Sequence, residues 1–126
     1  MNIEGDDRAV DRPAPSEPVA VGDAPGSVVC RLEGALDLDT VDAARVLLNE
    51  ALASPAPVLV VDLAAVTFCD SSGLNLLLQT RLTGQSAGKV LRLAAVPDQV
   101  MRLLELTGAT EVFPRCATVA DALHSL

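Results

Sequence analysis

The residues best suited to chemistry stand together in one short segment, Phe68-Cys69-Asp70-Ser71-Ser72-Gly73-Leu74. Asp70 is a favourable helix N-cap residue, because its carboxylate can accept a hydrogen bond from the amide of Ser72 or Gly73. A phosphate on either serine would then lie in a first helical turn, beside backbone amides that lack an intrahelical acceptor and at the positive end of the helix. By spacing alone, however, such a segment is more often a simple capping run than a phosphorylation site.

The elements on either side predict where this segment lies. Residues 58–63 are apolar except for Asp62, and three of the six are β-branched valines, which is typical of a strand buried on both faces. The helix that starts at Asp70 is expected to direct Leu74, Leu77, Leu78 and Leu82 inward. Since ligands and chemistry collect at the carboxyl ends of strands in open α/β sheets, the serines are well placed for a function.

The remaining periodic segments alternate between strand and helix. We predict strands at about 18–22, 28–33, 89–96 and 111–113, and helices that follow Asp39 or Thr40, Pro97 and Thr118, the second ending at Gly108. The inward positions expected on the first and third helices are Val41, Ala44, Leu48, Leu52, Val100, Leu103, Leu104 and Thr107. The short first two strands resemble a hairpin. This order predicts an α/β domain with a mixed four- to five-stranded sheet and about four helices packed mainly on one face.

The chain length allows one domain, which we place at residues 18–126 of the 126. Residues 1–17 contain Pro13, Pro15 and several acids but few large apolar side chains, so we predict an acidic, disordered tail. The net charge of −8 argues against nucleic acid or an anionic membrane as a partner. The absence of Trp and Tyr, with only two Phe, also argues against base stacking.

Cysteine and histidine usage argues against metal, disulfide and hydrolase chemistry. Cys30, Cys69 and Cys116 are widely separated and are expected to be small buried thiols in a reducing compartment. No ligand spacing for a metal is present, and no cofactor is expected. His124 is the single histidine, and no Gly-x-Ser-x-Gly elbow accompanies it, so we expect no catalytic residue and no enzyme activity. With no signal-like start and no apolar run of roughly 18 residues, a cytoplasmic location is predicted.

Two motifs together resemble a known family. Asp70-Ser71-Ser72-Gly73-Leu74 after a buried strand resembles the signature of the STAS domain of bacterial anti-sigma factor antagonists. Leu32-Glu33-Gly34-Ala35-Leu36-Asp37 resembles the turn that precedes the first helix in that family. The order and spacing of the rest agree, through Leu106-Thr107-Gly108 and Val112-Phe113-Pro114. The resemblance covers residues 18–126.

The resemblance implies a partner-switching mechanism without enzyme activity in this chain. Unphosphorylated members bind an anti-sigma factor that is also an ATP-dependent serine kinase, and so free the sigma factor. Phosphorylation of the signature serine, which maps to Ser72 with Ser71 as the second choice, ends binding, and a phosphatase resets the switch. Asp70 and Gly73 would support the phosphosite. The partner surface implied includes Asp37, Asp39, Ser71, Leu74 and Asn75. Apart from the resemblance, the acidic charge predicts no nucleic acid or membrane partner, and the lack of an evident large apolar patch makes a monomer the default expectation.

One position departs from the family pattern, and two other functional classes remain open. Ala35 stands where the family usually has Glu, which removes a turn carboxylate from the partner surface; Asp39 is a candidate substitute. STAS domains also serve as scaffold subunits of transporters or multi-protein signalling complexes without a phosphorylation cycle. The apolar run Leu74-Asn75-Leu76-Leu77-Leu78 would suit such a permanent interface, although a core role is the simpler interpretation. A nucleotide-binding module is the third class.

Overall fold

The computed structural model describes residues 19–20 and 26–124, so the predicted tail at 1–17 lies outside the described residues. Strands and helices alternate along it as expected. In chain order the elements are β1 Val19–Ala20, β2 Ser27–Leu36, α1 Val41–Leu52, β3 Val58–Cys69, α2 Ser71–Ser86, β4 Val90–Ala94, α3 Asp98–Thr107, a 3₁₀ turn Ala109–Glu111, β5 Arg115–Cys116 and α4 Val119–His124.

The five strands form one sheet in the order β1-β2-β3-β4-β5. β1 runs antiparallel to β2, whereas the β2–β3, β3–β4 and β4–β5 pairs are all parallel. Helices α1, α2 and α3 pack on one face around an aliphatic core, and the short α4 covers Val60 and Ala94 on the opposite face. These observations confirm the predicted mixed sheet with four helices, most of them on one face.

β3 occupies the centre of the sheet, and its first half is buried on both faces, as the apolar sequence at 58–61 predicts. Leu59 and Val61 belong to the large core beneath α1, α2 and α3, while Val60 faces α4. All three side chains are at most 1% exposed. Alternate residues of a strand point to opposite faces, so a strand with helices on both sides needs apolar residues throughout.

The strand ends differ from the predicted bounds. β2 does not stop at Gly34 but continues to Leu36, with Gly34 at φ 76°. β3 continues to Cys69, because β2 and β3 pair along their whole length with two irregularities. β4 ends at Ala94, because Ala95 adopts a left-handed φ of 55°. The predicted strand at 111–113 is wrong: Gly108, at φ 77°, directs the chain into the 3₁₀ turn, and pairing with β4 begins only at Arg115.

The predicted inward face of α2 is partly wrong. Its buried stripe includes Leu74, Leu77, Thr80 and Gly84, whereas Leu82 is 56% exposed. The stripe follows the helical period rather than the most apolar residues, and the Thr80 hydroxyl is satisfied inside it by donating to the carbonyl of residue 76 at 2.8 Å.

Smaller differences occur at the other helices. Leu52 of α1 and Leu103 of α3 are half-buried, and Thr107 is exposed rather than inward, its hydroxyl donating to the Leu103 carbonyl at 2.8 Å. Gly108 caps α3 in the left-handed conformation and the Thr118 hydroxyl caps α4, as predicted. Among the described helices, none combines the length and apolar character needed to span a membrane.

Candidate functional site

The two motifs singled out in the sequence meet where β2 and β3 end side by side. Leu36, at the end of β2, pairs with Cys69, at the end of β3. The Asp70 amide then donates to the Leu36 carbonyl at 3.1 Å. The turn that follows β2 and the serines that follow β3 are therefore joined at one edge of the sheet, as parallel strands require.

Asp70 caps α2 as its sequence position predicts. Its Oδ1 accepts hydrogen bonds from the Ser72 amide at 2.8 Å and the Gly73 amide at 3.2 Å. This corrects the expectation that a phosphate on a serine would meet unoccupied amides, because Asp70 already uses both of these donors. The site thus presents a carboxylate within the same helical turn as the hydroxyls.

Gly73 is required by packing rather than by backbone conformation. A Cβ at this position would lie 2.5 Å from the Leu36 carbonyl oxygen and 2.8 Å from the Cys69 Sγ. Both distances are shorter than any normal contact, so the first turn of α2 can sit this close to β2 only because residue 73 has no side chain. The segment that approaches residue 73 most closely is therefore β2 of the same domain.

Both serines border the surface. Ser71 is exposed and Ser72 is half-buried. Together with Leu74, Asn75 and Leu78 they line an open hollow of about 470 Å³. Asn75 is exposed, in keeping with the predicted partner surface, but Leu74 is only 6% exposed and packs mainly in the core. Leu74 therefore offers a partner no more than the floor of this hollow.

The apolar run that begins at Leu74 is core rather than a free surface. Leu76 and Leu77 are at most 2% exposed, and Leu78 packs against the core at its edge. The run therefore gives no support for a permanent apolar interface on α2.

Asp37 organises the turn between β2 and α1. Its Oδ1 accepts hydrogen bonds from the amides of Asp39 at 3.0 Å and Thr40 at 3.2 Å. Thr40 precedes α1, but its hydroxyl makes no capping bond to the helix; it donates to the Ala35 carbonyl at 2.7 Å instead. Asp37 is half-buried, while Asp39 is exposed. Of the two acids, Asp39 is the more exposed.

Two large apolar side chains near the site were not identified from the sequence as surface residues. Phe68 is 46% exposed beside Ala35, its pairing partner on β2, and Leu38 is 74% exposed in the turn. Strand alternation gives no signal for Phe68, because Thr67 and Phe68 are both exposed where the β2–β3 register shifts. Leu38 carries a weak signal, an apolar residue between two acids in a turn.

A side chain from α3 also reaches the segment that carries the two serines. The Gln99 Oε1 accepts from the Cys69 amide at 2.8 Å, and the Gln99 Nε2 donates to the Cys69 carbonyl at 2.9 Å. Thirty residues separate the two positions in the sequence. No local pattern predicts this contact.

The thiol within the site is chemically protected. Burial, reinforced by the neighbouring Asp70 carboxylate, raises the pKa of Cys69 to about 11. Burial, and to a smaller degree the Glu50 carboxylate, raises the pKa of Cys30 to about 12. Across residues 19–20 and 26–124, no group of three or more His, Cys, Asp or Glu side chains gathers where it could hold a metal ion.

Comparison with known proteins settles the family. The family model described as "Mlab, STAS domain" matches residues 19–114, which include β2, β3 and the whole site. The chain is also 32% identical over 107 residues to the anti-sigma-F factor antagonist RsfB of Mycobacterium tuberculosis, across 83% of this chain and 85% of that protein. This chain belongs to the STAS domain family of anti-sigma factor antagonists.

Further relatives of this STAS domain are also anti-sigma factor antagonists. It is 32% identical over 103 residues to the anti-sigma F factor antagonist of Paenibacillus polymyxa, across 80% of this chain and 87% of that one. The crystal structure of an anti-sigma factor antagonist from Mycobacterium paratuberculosis superposes with a TM-score of 0.73 at 31% identity, over 89% of this chain and 96% of that chain. Proteins of this kind are regulatory binding proteins rather than enzymes.

The fold of the STAS domain is also that of the Bacillus cell fate determinant SpoIIAA. The unphosphorylated form of SpoIIAA superposes with a TM-score of 0.69 at 23% identity, over 86% of this chain and 93% of that chain. The phosphorylated form superposes with a TM-score of 0.64 at 22% identity, over 86% of this chain and 96% of that chain. At this level of identity the likeness shows a shared fold.

Proposed function

We propose that this STAS domain is an anti-sigma factor antagonist that is switched by phosphorylation of Ser72. Unphosphorylated, it binds an anti-sigma factor that is also an ATP-dependent serine kinase, and the sigma factor is released. Phosphorylation of Ser72 ends the binding, and a separate phosphatase restores it. The chain acts in the cytoplasm as a monomer.

The observation that carries the proposal is the position of Ser72 in the first turn of a helix whose cap is Asp70. Ser72 follows the cap by two residues, and its amide is held by Asp70 at 2.8 Å, which fixes the backbone that carries the hydroxyl. In the transfer, the Oγ–H bond of the serine is replaced by an Oγ–P bond to the γ-phosphoryl group of ATP, and ADP and a proton are the products. The chain supplies only a well-positioned acceptor.

Charge explains why a phosphate at Ser72 would release a partner. The modification adds about −1.5 to −2 charges at pH 7. Asp70 lies in the same turn, and Asp37 is adjacent in sequence to Leu36, whose carbonyl accepts from the Asp70 amide at 3.1 Å. The added charge therefore joins two carboxylates at this edge of the sheet and increases the negative potential facing the partner. The SpoIIAA fold, shared by this chain, is known in both phosphorylation states, so the fold is compatible with such a group.

The partner surface proposed here surrounds the hollow beside the serines. Ser71 and Asn75 contribute polar groups, Asp39 contributes the exposed carboxylate of the turn, and Phe68 adds an apolar contact. Ala35 contributes no charge, since its side chain is a methyl group. We expect the kinase partner of this chain to make its contacts with the β2–α1 turn through Asp39 and Leu38.

Phosphorylation by purified kinases tests the proposal. The wild-type chain and the variants Ser72→Ala and Ser71→Ala are incubated with ATP and each serine kinase-type anti-sigma factor of the same genome, and the phosphate is located by mass spectrometry. We expect labelling of the wild type and Ser71→Ala but not of Ser72→Ala. Equal labelling of Ser72→Ala would refute the assignment. A stable complex with transporter subunits that is indifferent to ATP would instead favour the scaffold function.

A further inference from the structure

β3 lacks a neighbouring strand on one side at the point where it leads into the site. Pairing between β3 and β4 ends at Asp62 and Ala94, and β3 continues for seven more residues to Cys69. On the β2 side Cys69 is paired with Leu36. On the opposite side the Gln99 carboxamide occupies the place of a strand, accepting from the Cys69 amide and donating to the Cys69 carbonyl.

This contact resembles a hydrogen-bonded strand pair in which one partner is a side chain. Two residues opposite each other in an antiparallel ladder exchange both N–H···O bonds, and a carboxamide, with one donor end and one acceptor end, can do the same. At 2.8 and 2.9 Å both bonds are short and half-buried. Gln99 therefore holds the backbone one residue before the Asp70 cap and three residues before Ser72.

We propose that Gln99 is a positioning residue for the phosphoacceptor segment. It acts through Cys69: with β2 on one side and Gln99 on the other, the end of β3 is fixed, and the direction in which Asp70 and the first turn of α2 leave the sheet is fixed with it. Its role in phosphoryl transfer rests on the proposed function of Ser72. The inference also makes α3 part of the switch, because any displacement of the start of α3 moves the acceptor serine.

Two variants disrupt the contact by different means. Gln99→Glu keeps the shape and an acceptor for the Cys69 amide but replaces the donor with an oxygen, so that a carboxylate faces the Cys69 carbonyl and repels it. Gln99→Met keeps the length without charge and leaves both Cys69 groups unpaired. Gln85, exposed near the far end of α2, provides matched controls through Gln85→Glu and Gln85→Met.

The first measurement is amide hydrogen exchange on the intact chain, with NMR as the readout. We expect protection of the Ser72 and Gly73 amides to fall about tenfold in both Gln99 variants, as loss of a hydrogen-bonded anchor predicts. The amides of Val61, in the β3–β4 ladder, and of Leu93, which donates to the Pro114 carbonyl at 2.9 Å, should stay within about twofold of wild type. Unchanged protection at Ser72 and Gly73, or an equal loss throughout the ladder, would overturn the proposal.

The second measurement is the steady-state rate of Ser72 phosphorylation by the kinase that labels the wild type. If Gln99 positions the acceptor, its substitution should lower kcat about tenfold or more and leave KM within about twofold, because misplacement of a reacting group slows transfer after binding. The Gln85 variants should match wild type. A Gln99 variant that is less stable yet retains wild-type kcat has lost a merely structural contact, and that result also overturns the proposal.

The two measurements separate this inference from the proposed function. If no kinase modifies the wild type at Ser72, the proposed function fails, and with it the role of Gln99 in phosphoryl transfer. The exchange result then decides whether Gln99 holds the segment, since it needs no kinase. Local loss of protection together with a lower kcat supports both the proposed function of Ser72 and the positioning role of Gln99.

Discussion

The close approach of α2 to β2 at Gly73 makes the substitution Gly73→Ala a sensitive probe of the site. The added Cβ would lie 2.5 Å from the Leu36 carbonyl oxygen and 2.8 Å from the Cys69 Sγ. The carbonyl is backbone that also accepts from the Asp70 amide, so it cannot move aside without loosening the cap. Relief requires the first turn of α2 to shift away from β2.

The expected magnitude follows from two opposing effects. Overpacking a well-packed site costs about 1–3 kcal/mol, and contact with backbone places Gly73→Ala toward the upper end. Replacing glycine by alanine inside a helix returns about 1 kcal/mol. The net loss in free energy of unfolding is therefore about 1–2 kcal/mol.

Gly84→Ala is the matched control within the same helix. Its added Cβ would lie 3.3 Å from the Leu52 Cδ2, a methyl group at the end of a flexible side chain, and 3.7 Å from the Lys89 Cβ. The helix preference should then dominate, and we expect Gly84→Ala to be neutral or up to about 1 kcal/mol more stable than wild type.

Urea denaturation followed by circular dichroism measures both substitutions. With m values of about 1–2 kcal/mol/M, Gly73→Ala should lower the midpoint by about 1 M, and Gly84→Ala should leave it unchanged or raise it. If Gly73→Ala were as stable as wild type, or if Gly84→Ala were destabilised equally, the proposed contact between α2 and β2 would be refuted.

Three further predictions concern the cap, the end of β4 and the thiols. Asp70→Ala should lower the free energy of unfolding by about 1 kcal/mol in urea denaturation, because the Ser72 and Gly73 amides lose their acceptor. Ala95→Gly should raise it by about 0.5–1 kcal/mol in the same assay, since the left-handed φ of 55° strains alanine but not glycine. In thiol labelling at pH 8, half-buried Cys116 should react first. The pKa values of about 11 for Cys69 and about 12 for Cys30 lower their thiolate fractions about 100-fold or more below that of a thiol with the usual pKa.

Each of these predictions has an outcome that contradicts it. Wild-type stability in Asp70→Ala would mean that the cap bonds contribute nothing to the fold. A loss of stability in Ala95→Gly would show that the strain at this position is not relieved by glycine. Rapid labelling of all three thiols in the native chain, without denaturant, would contradict the burial of Cys30 and Cys69.

Features determined by a few adjacent residues could be predicted from the sequence. The cap formed by Asp70 needs only its own side chain and the amides two and three residues further on, so the local sequence predicts it. The burial of the first half of β3 follows from the apolar sequence at 58–61. The family resemblance rests on two local motifs, whose meeting at Leu36 and Cys69 follows from the parallel order of the strands.

Features that depend on packing between distant segments could not be predicted. Thr80 and Gly84 take inward positions on α2 that a count of apolar residues assigns to Leu82. Gln99 reaches Cys69 only because α3 starts beside the end of β3 on the side that β4 leaves uncovered, which requires β4 to stop at Ala94.

The most direct test of the phosphorylation switch compares the affinity of the kinase-type anti-sigma factor for the chain before and after complete phosphorylation at Ser72. Isothermal titration calorimetry with the purified proteins provides both dissociation constants. We predict that phosphorylation weakens binding about 30-fold or more, which corresponds to about 2 kcal/mol of charge repulsion and lost contact. An unchanged dissociation constant after phosphorylation at Ser72 would contradict the switch.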